Sequence, residues 1–453
     1  MVASFQRNGG RHTLRLSDRA VPAPGGWVTG GKPTAVRRVA REMRTWTIAA
    51  FLAVISLVAA ACASDADIGG ASDNPVPAPD TLGPSSGATP SDPSVDTATV
   101  PQGSSSNEPT STPPDVDLSA HSVPLDEIYF DTFDGGSVPL SDSTAALRLR
   151  LLDVIPPIDR PVYGDVSAGD WLAPDDLVLG YVAGDEAYAY PFKILNYHEI
   201  VNDELDGVPV LISYCPLCRS AIVYERRVGG DVLSFGNSSA LYESSLVMVD
   251  RTTGSYWWQV AGTAIVGPLT DTALEPLPSV VATWKDWVSL HPDTLVLTRD
   301  TGFSRPYERD AFASYADVLD SGRFPFPVGE AAKDARLRPS ALVVGLVINE
   351  VARAYPVEDL SDPINDEVGG DDIVVFPTDG GATVFGAGVD GETLRFERRN
   401  GDFIDVETGS VWNASGVAVS GARLGARLTP VPSRTTFWFA FVGAFPDVEL
   451  YNG

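Results

Sequence analysis

Two stretches of this 453-residue chain repeat one another in the same order, and no other feature limits the fold as much. Leu177-Val-Leu-Gly180 stands beside Leu342-Val-Val-Gly345, and Ala189-Tyr-Pro191 beside Ala354-Tyr-Pro356, both at an offset of 165 residues. Asn202-Asp203-Glu204 then pairs with Asn365-Asp366-Glu367, Val210-Leu211-Ile212 with Ile373-Val374-Val375, and Leu233 and Phe235 with Leu394 and Phe396. Thr253-Gly254-Ser255 with Trp257 matches Thr408-Gly409-Ser410 with Trp412, and Trp284 with Pro292-Asp293 matches Trp438 with Pro446-Asp447. Residues shared by two copies of a unit belong to its scaffold, so Asn202/Asn365 and Asp203/Asp366 read as turn or capping groups and Trp257/Trp412 as core anchors. The differences point to chemistry. Cys215 and Cys218 stand opposite Thr378 and Gly381, His198 opposite Ser361, and His291 opposite Phe445.

Short β-branched or aromatic runs punctuated by Gly, Pro and Asp predict strands over 208–214, 221–226, 232–235, 246–249, 255–260 and 393–398. Segments 147–153, 192–202 and 283–291 carry helical patterning, and each copy closes on a segment of the last kind. The expected fold is α+β and β-rich, with two tandem related halves packed as one body: a first half over 123–305 that holds all the soft ligands, and a cysteine-less second half over 306–453.

The N-terminus reads as an address. Arg37, Arg38, Arg41 and Arg44 precede an apolar run over 48–61 that ends Ala59-Ala60-Ala61-Cys62, the order of a secretory signal with small residues at the cut. A Cys directly after three small residues fits a bacterial lipobox, so Cys62 is the expected lipidation site, with translation starting at Met1 or at Met43. An uncleaved signal anchor is the other reading, against which the run falls short of the roughly 20 residues that span a bilayer. From 63 to 122 the chain is rich in Pro, Ser, Thr, Gly and Asp with few large apolar side chains, a composition that cannot offset ordering entropy and serves as a tether. The expected setting is extracytoplasmic, at the cell membrane through the lipid on Cys62. Acidic residues outnumber basic ones 60 to 32, for a net charge of -28, and such a field repels phosphate backbones; a nucleic-acid partner is excluded.

With Cys62 acylated, only Cys215 and Cys218 remain, in Tyr214-Cys-Pro-Leu-Cys218. A turn between two strands, with Pro after the first Cys, suits a metal knuckle whose thiolates converge on one ion. Such a knuckle supplies two ligands of the three or four needed, and His198 is the leading third, followed by His291, Asp203, Glu199 and Met248. Zinc accepts sulfur with imidazole and carboxylate; Cu(I) prefers sulfur. A thiol-disulfide oxidoreductase, with Cys215 attacking and Cys218 resolving, is the second reading, although the following Arg219-Ser-Ala-Ile-Val-Tyr-Glu225 patterns as strand rather than as the helix that would lower the first thiol's pKa. The third is a cell-surface binding module in which the thiols merely stabilise a hairpin beside an aromatic pocket. Segments 241–245 and 250–251, near Tyr256, Trp257, Trp258 and Gln259, would form the wall of that pocket. No Gly-rich phosphate loop, Gly-x-Ser-x-Gly elbow or His-Glu-x-x-His helix occurs.

The residues Tyr190-Pro191, His198-Glu-Ile-Val-Asn-Asp203, Tyr214-Cys-Pro-Leu-Cys218, Phe235-Gly-Asn-Ser238, Leu241-Tyr242, Asp250-Arg251, Thr253, Trp257, Gln259, Gly262, Gly267-Pro268 and His291-Pro-Asp-Thr294 resemble the bacterial and archaeal family called domain of unknown function 3179, from about Ile155 to the C-terminus. The resemblance implies that His198, Cys215, Cys218, Asp250, Arg251 and Gln259 belong to a family signature, and it brings no reaction, substrate or cofactor. One departure is Arg219, where relatives carry Gly in a tight turn. The site expected on these grounds has Cys215, Cys218 and His198 holding zinc or copper, with Asp203, Asp250, Arg251, Gln259 and His291 around it as supporting or pocket residues.

Overall fold

The computed structural model describes residues 113–453, which are α+β and β-rich as expected. The signal over 1–62, Cys62 and most of the tether lie outside the described residues. No helix among the described residues is long and apolar enough to cross a membrane.

Each half lays out its strands in the same order. In the first, Ser279–Thr283, Leu177–Ala183 and Glu186–Pro191 run antiparallel, and Leu295–Leu297 adds parallel to the last. In the second, Arg434–Phe437, Leu342–Ile348 and Val351–Pro356 run antiparallel, and Glu449–Leu450 adds parallel. A short helix follows Ser279–Thr283 in one half and Arg434–Phe437 in the other, Trp284–Leu290 and Trp438–Ala444. Its ring lies on the glycine of the neighbouring strand: a Cβ on Gly180 would sit 2.2 Å from Trp287, and one on Gly345 2.3 Å from Phe441, which is why both copies need Gly there.

A three-stranded meander comes next, Ile200–Leu205, Val208–Cys215 and Ser220–Glu225 in the first half, and Ile364–Val368, Asp371–Thr378 and Gly381–Gly386 in the second. The halves are joined where Arg434–Phe437 pairs with Ser220–Glu225 through Thr435 and Ala221, so one eight-stranded sheet contains strands of both.

The predicted helix over 192–202 is shorter than its pattern. Phe192–His198 ends at Glu199, whose φ of 58° is left-handed and whose N–H bonds Leu195 O; the chain then enters the strand Ile200–Leu205. Pairing with Val208–Cys215 satisfies the backbone that a longer helix would have used. Asn202 and Asn365 therefore sit on strands and are neither turn nor capping groups. Each amide clasps one backbone, with Asn202 donating to Phe235 O at 2.8 Å and accepting from Phe235 N at 2.8 Å. Asn365 does the same with Phe396 at 2.9 and 2.7 Å. Trp257 and Trp412 are buried anchors as expected, donating Nε1–H to Asp250 and Asp405 at 2.9 Å in both halves.

The paired hairpins differ at their tips. In the first, Cys215 pairs with Ser220, leaving residues 216–219 as a four-residue turn; in the second, Thr378 pairs directly with Gly381 across a two-residue turn. Ser220, not Cys218, is therefore the counterpart of Gly381, and Cys218 lies in two extra residues that the second half lacks.

Candidate functional site

The strand Val208–Cys215 is covered on both faces, and its alternation sorts its side chains. Leu211 and Cys215 face one apolar cluster, together with Cys218, Leu246, Met248, Trp257 and Trp258; Val210, Ile212 and Tyr214 face another, together with Phe192, Tyr197 and Tyr307. Both cysteines are free thiols, 1% and 0% exposed. Leu246 N donates to Cys215 Sγ at 3.4 Å, and Cys218 Sγ points to Cys215 O at 3.9 Å. The second half holds the turn from behind: Cys218 O accepts from Phe437 N and from Thr436 Oγ1, both at 2.9 Å. Arg219 takes φ 50°, the left-handed conformation a tight turn requires, without being Gly.

Beside the thiols lies Glu199. Its carbonyl accepts from Tyr214 N at 2.7 Å, which fixes it next to Cys215, and its carboxylate accepts from Asn237 Nδ2 at 2.7 Å. Burial holds this carboxyl well above the usual range, and the Cys215 sulfur adds to the shift. Burial likewise pushes the Cys215 thiol up, with Cys218 contributing. The site thus sets a carboxyl and a thiol, both shifted toward their protonated forms by burial, in an enclosure of apolar side chains that includes Tyr315.

Gln259 braces the strands that carry the turn. Its Nε2 donates to Ser213 Oγ at 3.0 Å and to Ser220 O at 3.3 Å, while its Oε1 accepts from Ser220 Oγ at 2.8 Å. Of the expected supporting residues it is the one placed directly under the cysteines.

The other expected residues lie elsewhere. His198 does not join the sulfurs: its Nδ1 bonds Pro156 O at 2.8 Å, its Nε2 bonds Tyr307 Oη at 2.7 Å, and its ring packs with Phe303 and Tyr307. Tyr307 belongs to the cluster on the face of Val208–Cys215 opposite to Cys215, so strand alternation separates the imidazole's partners from the thiols. Burial lowers the His198 pKa to about 4, which fits a neutral imidazole locked by two hydrogen bonds. His291 packs tilted against Trp287 with ring centroids 4.2 Å apart, ends the helix Trp284–Leu290 and meets Ser415 at 3.3 Å. Asp203 accepts from Tyr163 at 2.6 Å, Asp250 anchors Trp257 and a turn through Thr253, and Arg251 bridges Asp153 and Asp159 at 3.0 and 2.9 Å. Met248 lies in the cysteines' apolar cluster. Among the described residues no three of His, Cys, Asp and Glu are grouped so as to hold a metal ion, so the expected Cys215/Cys218/His198 centre is not assembled.

Asn237, Ser213, Ser220 and Tyr315 were not singled out as site residues from the sequence. Asn237 stood inside the Phe-Gly-Asn-Ser stretch and could have been flagged there; Tyr315 is a hundred residues from the cysteines and carries no local signal.

Residues 152–448, well over half of the chain, match the family model described as protein of unknown function (DUF3179). The chain belongs to that family. No curated protein and no solved structure matches it.

Proposed function

We propose that this is an exported thiol redox protein, tethered to the membrane through Cys62, in which Cys215 and Cys218 cycle between dithiol and disulfide. The observation that carries the reading is the placement of two free, buried thiols beside the buried Glu199 carboxyl. On oxidation two S–H bonds break, one S–S bond forms, and two electrons and two protons leave; a disulfide on the partner takes both and becomes two thiols. Glu199, ionised, is the base that accepts the proton of Cys215. A carboxyl whose pKa is raised toward that of a thiol is matched to the exchange better than an ordinary one. Support for export and anchoring comes from the order Arg37–Arg44, apolar run, Ala59-Ala60-Ala61-Cys62.

The test equilibrates the protein in glutathione buffers of graded potential and counts alkylated thiols by mass. A single two-electron transition is expected, absent from Cys215→Ser and from Cys218→Ser. Glu199→Gln should slow oxidation at the higher pH where the carboxylate is ionised and change little at low pH where it is protonated, while leaving both thiols countable. A pair locked in one state throughout the series overturns the proposal. The zinc or copper reading predicts instead that metal co-purifies with the protein and is lost from the double Ser variant. To bind through His198, such a site would have to break the bonds to Pro156 and Tyr307.

A further inference from the structure

The thiols are buried, and one segment packed into their apolar cluster is built unlike the rest of the fold. Between Leu295–Leu297 and Leu342–Ile348, residues 299–340 form no strand, only the helix Tyr315–Asp320 and the short turn of helix Ala331–Lys333. From Arg299 to Leu337 the backbone–backbone hydrogen bonds stay within the segment itself, for example Tyr315 N to Phe312 O and Gly322 N to Leu319 O, while at its end Arg338 O accepts from Ala341 N and Pro339 O from Phe439 N. What holds it down is side-chain contact. Tyr315 and Leu319, 4% and 0% exposed, lie in the same apolar cluster as Cys215 and Cys218, with Phe312 and Phe324 packed against it. Glu243 accepts from Gly329 N, and Tyr307 reaches His198 at 2.7 Å.

From this we infer that the segment 299–340 is a cover that lifts as a unit from the Cys215–Cys218 turn, and that the opened form is the one that meets a substrate disulfide. Lifting it breaks apolar contacts, a few side-chain bonds and the backbone bond from Phe439 N to Pro339 O while every strand ladder stays paired, so opening is local and separate from unfolding. The inference rests on the redox reading for its purpose but not for its test.

The reduced full chain is treated with iodoacetamide under native conditions and the modification of Cys215 and Cys218 is followed by mass. Slow labelling is expected in the unmodified protein, and Tyr315→Ala should accelerate it by about tenfold or more by removing the aromatic anchor. Hydrogen exchange on the unmodified protein keeps the result readable if that variant fails to fold: amides of 312–332 should exchange well before those of Val208–Cys215. Exchange of both regions together, with labelling no faster than global unfolding, overturns the cover. Alkylation needs no redox partner, so a lifting cover over a pair that shows no redox transition would sink the function and leave the cover standing, and the reverse result would do the opposite.

Discussion

The two hairpins, Val208–Cys215 with Ser220–Glu225 and Asp371–Thr378 with Gly381–Gly386, share length, direction and place in their halves, yet one encloses a polar cluster and the other does not. Where the first has Ser213 and Gln259 bonded together, the second has Phe376 and Ala414. Where the first has Glu199 held by Asn237 in the interior, the second has Asp362 beside Arg398 at 3.6 Å, with Asp362 exposed to solvent. The two extra residues that make room for Cys218 are absent as well. Thiols, acid, brace and turn length change together, while the Asn clasp and the Asp–Trp anchor stay in both halves. Groups that vary as a set on a common frame are the ones serving a task the frame does not need.

That contrast can be broken by mutation. The largest effects should fall on the shared frame, where Trp257→Ala and Trp412→Ala are each expected to cost about 3–5 kcal/mol in denaturant unfolding, since each removes a buried ring and one of the hydrogen bonds to a buried aspartate. A cost at one position only would show that the two frames are not equivalent.

Next comes the loss of stability between pH 6.5 and 4 that a buried histidine brings, which His198 gives the first half and which Ser361 cannot give the second. His198 titrates at about 4 in the fold against 6.5 as its ordinary value, so below pH 6.5 the unfolded chain takes up a proton that the folded chain refuses. Stability present above pH 6.5 is lost as pH falls toward 4, by about 3 kcal/mol for this gap. Thermal melts of His198→Gln across that range should lack this loss; an unchanged slope would remove His198 as its source.

The smallest expected difference separates the two acid pairs. Asn237→Ala leaves Glu199 without its buried donor and should cost about 1–3 kcal/mol. Arg398→Ala removes a partner of the exposed Asp362 and should cost under about 1 kcal/mol. Equal costs would mean that the interior pair is no more demanding than the surface one.

Part of the frame was legible because residues recur in order: the closing helices and the buried tryptophans follow from apolar periodicity and recurring residues, whereas the strand order came only from the cross-strand pairing. The Asn residues were misread, because Asn is common in turns and nothing local shows an amide reaching a strand thirty residues on. The register of the hairpin tips was misread too, since a two-residue difference in a turn only becomes visible once cross-strand partners are known.

By itself the sequence determined that two thiols stand three positions apart in one half only, that a β-rich frame carries them, and that a signal-like segment precedes both. Those are properties of composition, order and local pattern. Only the tertiary structure decided that His198 bonds Pro156 and Tyr307 and not the sulfurs, that Glu199 and Asn237 are polar neighbours of the thiols, and that Tyr315 packs in their apolar cluster. The reason is physical: a strand sends successive side chains to opposite faces, so residues near in sequence are parted by the sheet, while a segment a hundred residues away can be folded back to complete the enclosure.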